Sequence, residues 1–247
     1  MKIGGATALV TGANRGLGKA FVRLLRDAGC VKVYAGARNL DRLRAGGIEN
    51  AVELDITNPE QVAAAAVRCQ DVNLLVNNAG VAKFTPLLDS PTIDNARAEM
   101  ETNYFGTLAM CRAFAPILKQ NGGGALVNVL SVVSWFNAPM QGSYCASKSA
   151  EWSLTKAVRF ELRRQGTFVA GVYAGYIETD MTAALSLAKT SPDDIVNRVI
   201  AGIENGDEEI LADERSQTLN SELLGNYASF EAKMQETWDE YRRLNPN

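Results

Sequence analysis

The sequence predicts an α/β protein built on a doubly wound parallel sheet. Short apolar runs of strand type alternate with longer segments of helical period, and several of the short runs are almost continuously apolar, as in strands covered on both faces. Parallel neighbours need crossover connections, so we expect the intervening segments to cross over as helices. No linker, repeat or low-complexity tract divides the 247 residues. We therefore expect residues 1–247 to form a single domain with a seven-stranded sheet.

The elements follow one another regularly until residue 175. Between 92 and 120, apolar side chains recur every three or four residues, which is the helical period. Residues 176–205 carry only short helical pieces, and we expect them to form a lid over a substrate; the tail at 214–244 has the pattern of one charged amphipathic helix. The predicted strands are residues 6–10, 31–37, 51–55, 73–77, 125–131, 167–174 and 208–212, and the other predicted helices are near 17–28, 59–69, 92–120 and 144–165.

Composition excludes several classes of function. A net charge of -3 gives no basic surface, so neither nucleic acid nor an anionic membrane is expected as a partner. The first residues lack the pattern of a secretory signal, and the four cysteines lack CxxC spacing, so we expect a reducing cytoplasm and no metal. The sequence contains no histidine, which excludes histidine-based catalytic triads. Any acid or base must be Tyr, Lys, Asp, Glu or Cys.

A glycine-rich segment, TGANRGLG at 11–18, follows the first predicted strand and opens the first helix. Glycines there allow a tight turn and let a pyrophosphate approach backbone N–H groups at the helix N-terminus. The pattern is typical of the dinucleotide site of a Rossmann fold, although a tight strand-to-helix connection would look similar. The candidate cofactor residues are Gly12, Asn14, Arg15, Gly16, Leu17 and Gly18.

The end of the second strand favours NADP(H) over NAD(H). Sites that prefer NAD usually place an Asp or Glu there to bind the ribose 2′-OH, whereas this chain has Ala37 and then Arg38. Arg15 lies in the glycine loop, close enough in such a fold to reach the same ribose. Two guanidinium groups suit a 2′-phosphate. The alternative is that both arginines are solvated surface charges.

Two further strand ends carry candidate cofactor contacts. Asp55, followed by Ile56, could accept a hydrogen bond from the adenine amino group, but an N-cap or turn role near Pro59 is equally consistent with its position. The segment NNAG at 77–80 ends the fourth strand beside the point where strand order should reverse. Its small residues would allow close approach of a cofactor, and a plain turn is the alternative. The candidates here are Asn78, Ala79 and Gly80.

Together these motifs resemble the short-chain dehydrogenase/reductase family. TGANRGLG, NNAG, Ser131, and Tyr144 with Lys148 occur in the family's order and on the expected elements, and the resemblance covers nearly the whole chain. It implies a catalytic tetrad of Asn103, Ser131, Tyr144 and Lys148. Taken singly, Asn103 could be a polar residue within a helix, Ser131 a strand-end cap, and Tyr144 with Lys148 an ordinary pair on a helix face.

The chemistry of these residue types fits the reduction of a carbonyl. The reaction needs hydride at carbon and a proton at oxygen, and tyrosine is a possible proton donor in a chain without histidine. Its ordinary pKa is about 10, so tuning it towards neutrality takes about 4 kcal/mol of phenolate stabilisation. Lys148 lies four residues further along the helix, on the same face, and is its natural source. Ser131 would donate a hydrogen bond to the developing oxyanion.

The resemblance adds three expectations. Asn103 would hold a water that connects Lys148 to solvent, and Lys148 and Tyr144 would also contact the nicotinamide ribose. Where the family often has Pro-Gly after the sixth strand, this chain has Ala174 and then Gly175, which removes some stiffness from the turn. The residues expected at the nicotinamide carboxamide are Gly175, Ile177 and Thr179.

The loops after strands four to six suggest the substrate. They are rich in apolar and aromatic residues such as Phe84, Phe136 and Met181, with Lys83 as their one cation, so a hydrophobic ketone or aldehyde is expected. A 3-oxoacyl-carrier reductase and a non-catalytic NADP-sensing protein remain alternatives. The resemblance implies a homodimer or homotetramer formed through helices 92–120 and 144–165, whose outer residues include Phe105 and Phe160.

Overall fold

The computed structural model describes residues 1–245, and in them seven parallel strands form one sheet in the order β3-β2-β1-β4-β5-β6-β7. The direction of the chain across the sheet reverses between β1 and β4, the strands that flank the topological switch point. The predicted doubly wound parallel sheet is therefore confirmed. The strands are Thr7–Thr11 (β1), Lys32–Ala37 (β2), Ala51–Glu53 (β3), Leu74–Asn77 (β4), Ala125–Val129 (β5), Phe168–Tyr173 (β6) and Glu209–Leu211 (β7).

Helices cover both faces of the sheet. One face packs against α1, α2 and α7 through side chains such as Phe21, Leu43 and Val199, and the other against α3, α5 and α6 through Val62, Phe114 and others. Among the helices of residues 1–245, none has the length and apolar character needed to cross a bilayer. The helices are Gly16–Asp27 (α1), Leu40–Ala45 (α2), Pro59–Arg68 (α3), Asp94–Glu99 (α4), Thr107–Gln120 (α5), Gly142–Leu162 (α6), Pro192–Asn205 (α7), Glu214–Gly225 (α8) and Tyr227–Leu244 (α9).

The helix predicted at 92–120 is interrupted by a π-helical turn, Met100–Gly106, between α4 and α5. Gly106 is required there, because a Cβ on this residue would lie 2.7 Å from Cγ1 of Ile56. A π turn widens the helix by one residue and is frequent at functional sites. This turn carries Asn103.

Two further expectations about helices were wrong. The short helix α2 was not predicted, because six residues hold too little helical period to read; Asn39 starts it by accepting a hydrogen bond from the N–H of Arg42 at 3.1 Å. The tail forms two helices rather than one, because the helical conformation is interrupted at Asn226. The Asn226 side chain accepts from the N–H of Ser229 at 3.0 Å and so begins α9.

The range predicted as a lid contains two kinds of structure. Residues 176–190 form a loop with a short helical turn, Asp180–Thr182, and its two ends meet in a bridge between Ile177 and Thr190. The remainder is mostly α7, whose Ile195 and Val199 are fully buried against the sheet and α1. Only the first part lies beside the cleft described below.

Candidate active site

A cleft of about 760 Å³ runs along the carboxyl ends of the strands on both sides of the switch point. Every residue predicted above to contact the cofactor lines it, and so do Ser131, Tyr144 and Lys148. Asn103 is fully buried and does not line it. The sequence-predicted residues, scattered from Gly12 to Thr179, are therefore brought together in one cavity, with Asn103 behind its wall.

The glycine loop and the end of β4 fit closely against each other. A Cβ on Gly12 would lie 2.9 Å from Cα of Ala79, and the φ angle of Gly12, +66°, is one that glycine tolerates best. The N–H groups of Asn78 and Ala79 both donate to the Thr11 hydroxyl at 3.0 Å, and the Asn78 side chain donates to the Thr11 carbonyl at 2.8 Å. The NNAG segment thus fixes the loop, and the cleft at this end is lined by backbone able to hold a pyrophosphate.

Three arginines line the far end of the cleft, beside β2. Arg15 and Arg38 were predicted there; Arg42, from the unpredicted helix α2, is a third. The Arg15 guanidinium is engaged at 3.1 Å by Asp180 of the 176–190 loop, an exposed ion pair that water screens. This charge distribution fits a nucleotide that carries a phosphate on its ribose.

Asp55 is engaged locally as well as lining the cleft. One of its carboxylate oxygens accepts from both the N–H (3.0 Å) and the hydroxyl (2.7 Å) of Thr57. The turn role considered as its alternative is therefore real, and one oxygen is left over for a ligand.

Tyr144 and Lys148 lie one turn apart on α6, and Ser131 ends the segment after β5. Lys148 is buried, and its ammonium donates to the Val129 carbonyl at 2.8 Å and to the Glu151 carboxylate at 2.7 Å. Glu151 is buried too, with its second oxygen 3.4 Å from the Thr107 hydroxyl. Glu151 could not be singled out from the sequence, since a charged residue on a helix normally faces water.

The pKa values of these residues follow from burial and from that ion pair. Burial alone would lower the pKa of Lys148, but the Glu151 carboxylate and Tyr144 together more than compensate and the pKa is raised. Burial raises the pKa of Glu151 and Lys148 opposes that effect. Burial also raises the pKa of Tyr144; Lys148 and Ser131 lower it, and Glu151 raises it again. Burial is the largest of these influences and Glu151 adds to it, so the pKa of Tyr144 lies above its ordinary value despite Lys148.

Asn103 fastens two parts of the site to each other. Its side chain exchanges two hydrogen bonds of 2.9 Å with the backbone of Val81 and donates a third, also of 2.9 Å, to the Ser147 hydroxyl. Ser147 immediately precedes Lys148 on α6. The side chain therefore positions the loop after β4 and α6, and the expected water between Asn103 and Lys148 stays a prediction.

The substrate end of the cleft is walled partly by the C-terminal helices. Leu219 of α8 and Phe230, Met234 and Thr237 of α9 line it, and Phe230 packs edge-to-face on Phe136 with ring centroids 4.6 Å apart. Helical period alone could not show which elements the tail covers. The predicted cation Lys83 does not line the cleft, whereas Arg215 of α8 does.

The turn after β6 is held by a hydrogen bond to a residue that precedes α8. The N–H of Gly175 donates to the Asp213 carboxylate at 2.8 Å, and the other Asp213 oxygen accepts from the N–H of Ser216 at 2.7 Å, at the start of α8. Asp213 is 1% exposed. This hydrogen bond stiffens the turn where the usual proline is replaced by Ala174.

Comparison with known proteins agrees with this architecture. The family model for short chain dehydrogenases matches residues 6–190. The 3-oxoacyl-[acyl-carrier-protein] reductase FabG of Vibrio cholerae is 34% identical over 196 residues, which cover 75% of this chain and 79% of that protein. Dehydrogenase/reductase SDR family member 7B of Bos taurus is 31% identical over 196 residues, 72% of this chain and 59% of that protein.

A solved structure extends the similarity into the C-terminal region. The crystal structure of a short chain dehydrogenase from Burkholderia cenocepacia, in complex with NADP, is 41% identical, has a TM-score of 0.91, and covers 95% of this chain and 99% of its own. The family model ends at residue 190, so α7 to α9 lie outside it. The matched model, the curated relatives and the shared fold together show that the chain belongs to the short-chain dehydrogenase/reductase family.

Proposed function

We propose that the protein is an NADP(H)-dependent carbonyl reductase or alcohol dehydrogenase acting on a ketone or aldehyde with hydrophobic substituents. The observation that carries the proposal is the position of Tyr144, Ser131 and Lys148 in the same cleft as the glycine loop. An apolar cleft with a few convergent polar groups and a buried ionisable cluster is typical of a catalytic site for a small molecule.

The cofactor fits the residues present. Gly12 provides the close backbone approach, and Arg15, Arg38 and Arg42 supply cations where a 2′-phosphate would lie. The Burkholderia cenocepacia relative was crystallised with NADP. Bound NADPH supplies the hydride. The four free thiols, all within residues 1–245, fit the reducing cytoplasm in which we place the enzyme.

The protein's own residues provide the proton. The raised pKa of Tyr144 keeps its phenol protonated at neutral pH, ready to donate to the carbonyl oxygen as hydride reaches the carbon. Ser131 donates a hydrogen bond to the same oxygen as negative charge develops there. The ammonium of Lys148 stabilises the phenolate that remains. In alcohol oxidation the phenolate takes the proton back.

The test is consumption of NADPH by purified protein over carbonyl compounds graded in size and charge, with NADH as comparison. NADPH should be preferred, and Tyr144→Phe should lower kcat by about 10²- to 10⁴-fold, the usual contribution of an acid catalyst, while NADPH still binds. Tyr34→Phe is the matched control, because the Tyr34 hydroxyl donates to Asp71 and Tyr34 does not line the cleft. Near-normal turnover by Tyr144→Phe would refute the assignment of the acid.

A 3-oxoacyl-carrier reductase is the second candidate, favoured by the similarity to the Vibrio cholerae reductase. It predicts that a 3-oxoacyl group on a carrier protein is reduced with a much lower KM than the same acyl group as a simple ester. A protein that binds NADPH but consumes none with any carbonyl would instead be a sensor.

A further inference from the structure

Arg215 lines the substrate end of the cleft, where its side chain contacts the uncharged residues Gly175 and Tyr176. Its side chain lies across Gly175, where a Cβ would come within 2.5 Å of its Cδ, and its guanidinium carbon is 5.2 Å from the centroid of the Tyr176 ring. The Tyr176 hydroxyl accepts from the Gln141 side chain at 3.4 Å. Gln141 directly precedes α6, three residues before Tyr144. The Tyr176 ring therefore lies between the Arg215 guanidinium and the first residues of α6.

The charge of Arg215 is not matched by the protein. Within residues 1–245, no carboxylate lies within 4.0 Å of its nitrogens. The buried carboxylate of Asp213 lies two residues before Arg215 in the sequence. Both of its oxygens accept hydrogen bonds from backbone N–H groups, those of Gly175 and Ser216. Arg15, by contrast, is paired with Asp180 at the cofactor end.

The residues around Arg215 in the cleft are mostly apolar. Phe136, Leu219, Phe230 and Met234 supply apolar surface, and the other cation of the catalytic region, Lys148, is buried and paired with Glu151. A guanidinium offers a planar set of donors that matches a carboxylate or a phosphate ester. Arg215 lines the cleft but is exposed, so water screens such a pair in part.

We propose that Arg215 anchors an anionic group of the substrate, so that the preferred substrate is a carbonyl compound with an apolar body and a carboxylate or phosphate ester beyond it. This inference rests on the proposed function, because it assigns the distal end of the same substrate. The anion can come from a free oxo-acid or from the phosphate of a carrier arm, and Arg215 would bind either through the same donors.

The test compares matched acid and neutral substrates. Wild type should use 5-oxohexanoate and 4-acetylbenzoate with a KM about 2- to 5-fold lower than their amides, the range of an exposed ion pair. Arg215→Leu should erase that difference by raising KM for the acids much more than for the amides. Arg215→Lys should restore part of it. A further pair, 3-oxobutanoyl pantetheine with and without its 4′-phosphate, distinguishes the carrier arm from a free acid as the source.

Equal use of acids and amides by wild type, with no discrimination between the pantetheine pair, would overturn the proposal, as would an equal loss on both classes in Arg215→Leu. A binding measurement separates this failure from that of the proposed function. If no carbonyl consumes NADPH, calorimetric titration of NADP-loaded wild type and Arg215→Leu with 4-acetylbenzoate and its amide still decides the role of Arg215. Tighter binding of the acid, lost in the variant, supports it; equal binding refutes it.

Discussion

At the scale of single residues, we propose that burial and the charge balance around Lys148 together set the pH at which Tyr144 can act. Lys148 favours the phenolate and Glu151 opposes it, both from buried positions. A buried ion pair costs desolvation that its own attraction offsets only in part, so it is weak evidence for stability. We interpret the pair mainly through its effect on the proton donor.

Glu151→Gln should move the pH dependence of carbonyl reduction. Tyr144 donates only while protonated, so reduction is lost as pH rises through its pKa. The buried carboxylate raises that pKa, and removing it should shift the alkaline limb of kcat/KM to lower pH, by about one unit for roughly 1.4 kcal/mol of charge interaction. The acid limb of alcohol oxidation should shift in the same direction.

The measurement is a pair of pH–rate profiles for wild type and variant, with bound NADPH fluorescence to show that the site is intact. Glu161→Gln, an exposed position on the same helix, is the control and should leave both profiles unchanged. An upward shift in Glu151→Gln would show that Lys148 loses its proton when its counter-ion is removed.

Site residues that belong to short motifs with a characteristic spacing could be predicted from the sequence. The glycine loop, Ser131, and Tyr144 with Lys148 were found in this way, and all of them line the cleft. Glu151 and Arg215 were not, because each is a charged side chain on an amphipathic helix. Only the packing of α5 and α6, and of α8 against the turn at Gly175, shows where those charges lie.

At the scale of elements, α9 is a wall of the cleft. Phe230 is 4% exposed and packs on Phe136. Phe230→Ala should raise KM for bulky apolar ketones more than for small ones and destabilise the fold by about 3 kcal/mol, the lower end for such a truncation, because the cavity opens into the cleft.

Thermal unfolding and KM over the graded ketones measure both effects. Leu224→Ala on α8, where the side chain is 82% exposed, is the control and should change neither. An equal rise of KM for small and bulky ketones in Phe230→Ala would place the apolar wall elsewhere.

The alternation of strands and helices was enough to predict the sheet, but not how every helix ends. Asn226 breaks the tail because its side chain caps α9, and a capping asparagine inside a charged segment looks like any other surface residue. The π turn around Asn103 depends on Gly106 meeting Ile56, two residues 50 positions apart in the chain. Neither contact is visible in a helical period.

At the scale of the whole molecule, large apolar side chains remain exposed on the outer helices. Phe160 of α6 is 73% exposed and Phe105, in the π turn before α5, is 50% exposed. We expect these faces to bury each other in a homodimer or homotetramer.

Phe160→Glu should therefore lower the mass measured by light scattering after size-exclusion chromatography, since a charge at the centre of an interface costs about 2 kcal/mol or more. Val67→Glu on α3, where the side chain is 75% exposed, is the matched control and should leave the mass unchanged. A wild type that elutes as a monomer would show that Phe160 is simply exposed.

The carboxylate of Asp213 connects the turn after β6 with the first residues of α8. Asp213 accepts from the N–H of Gly175 with one oxygen and begins α8 with the other, so the turn after β6 and the helix that walls the cleft are held together. Replacing the C-terminal helices with those of a relative, to change which substrate is accepted, would also disturb the seat of the cofactor. Such an exchange should succeed only if the aspartate is transferred together with the helices it begins.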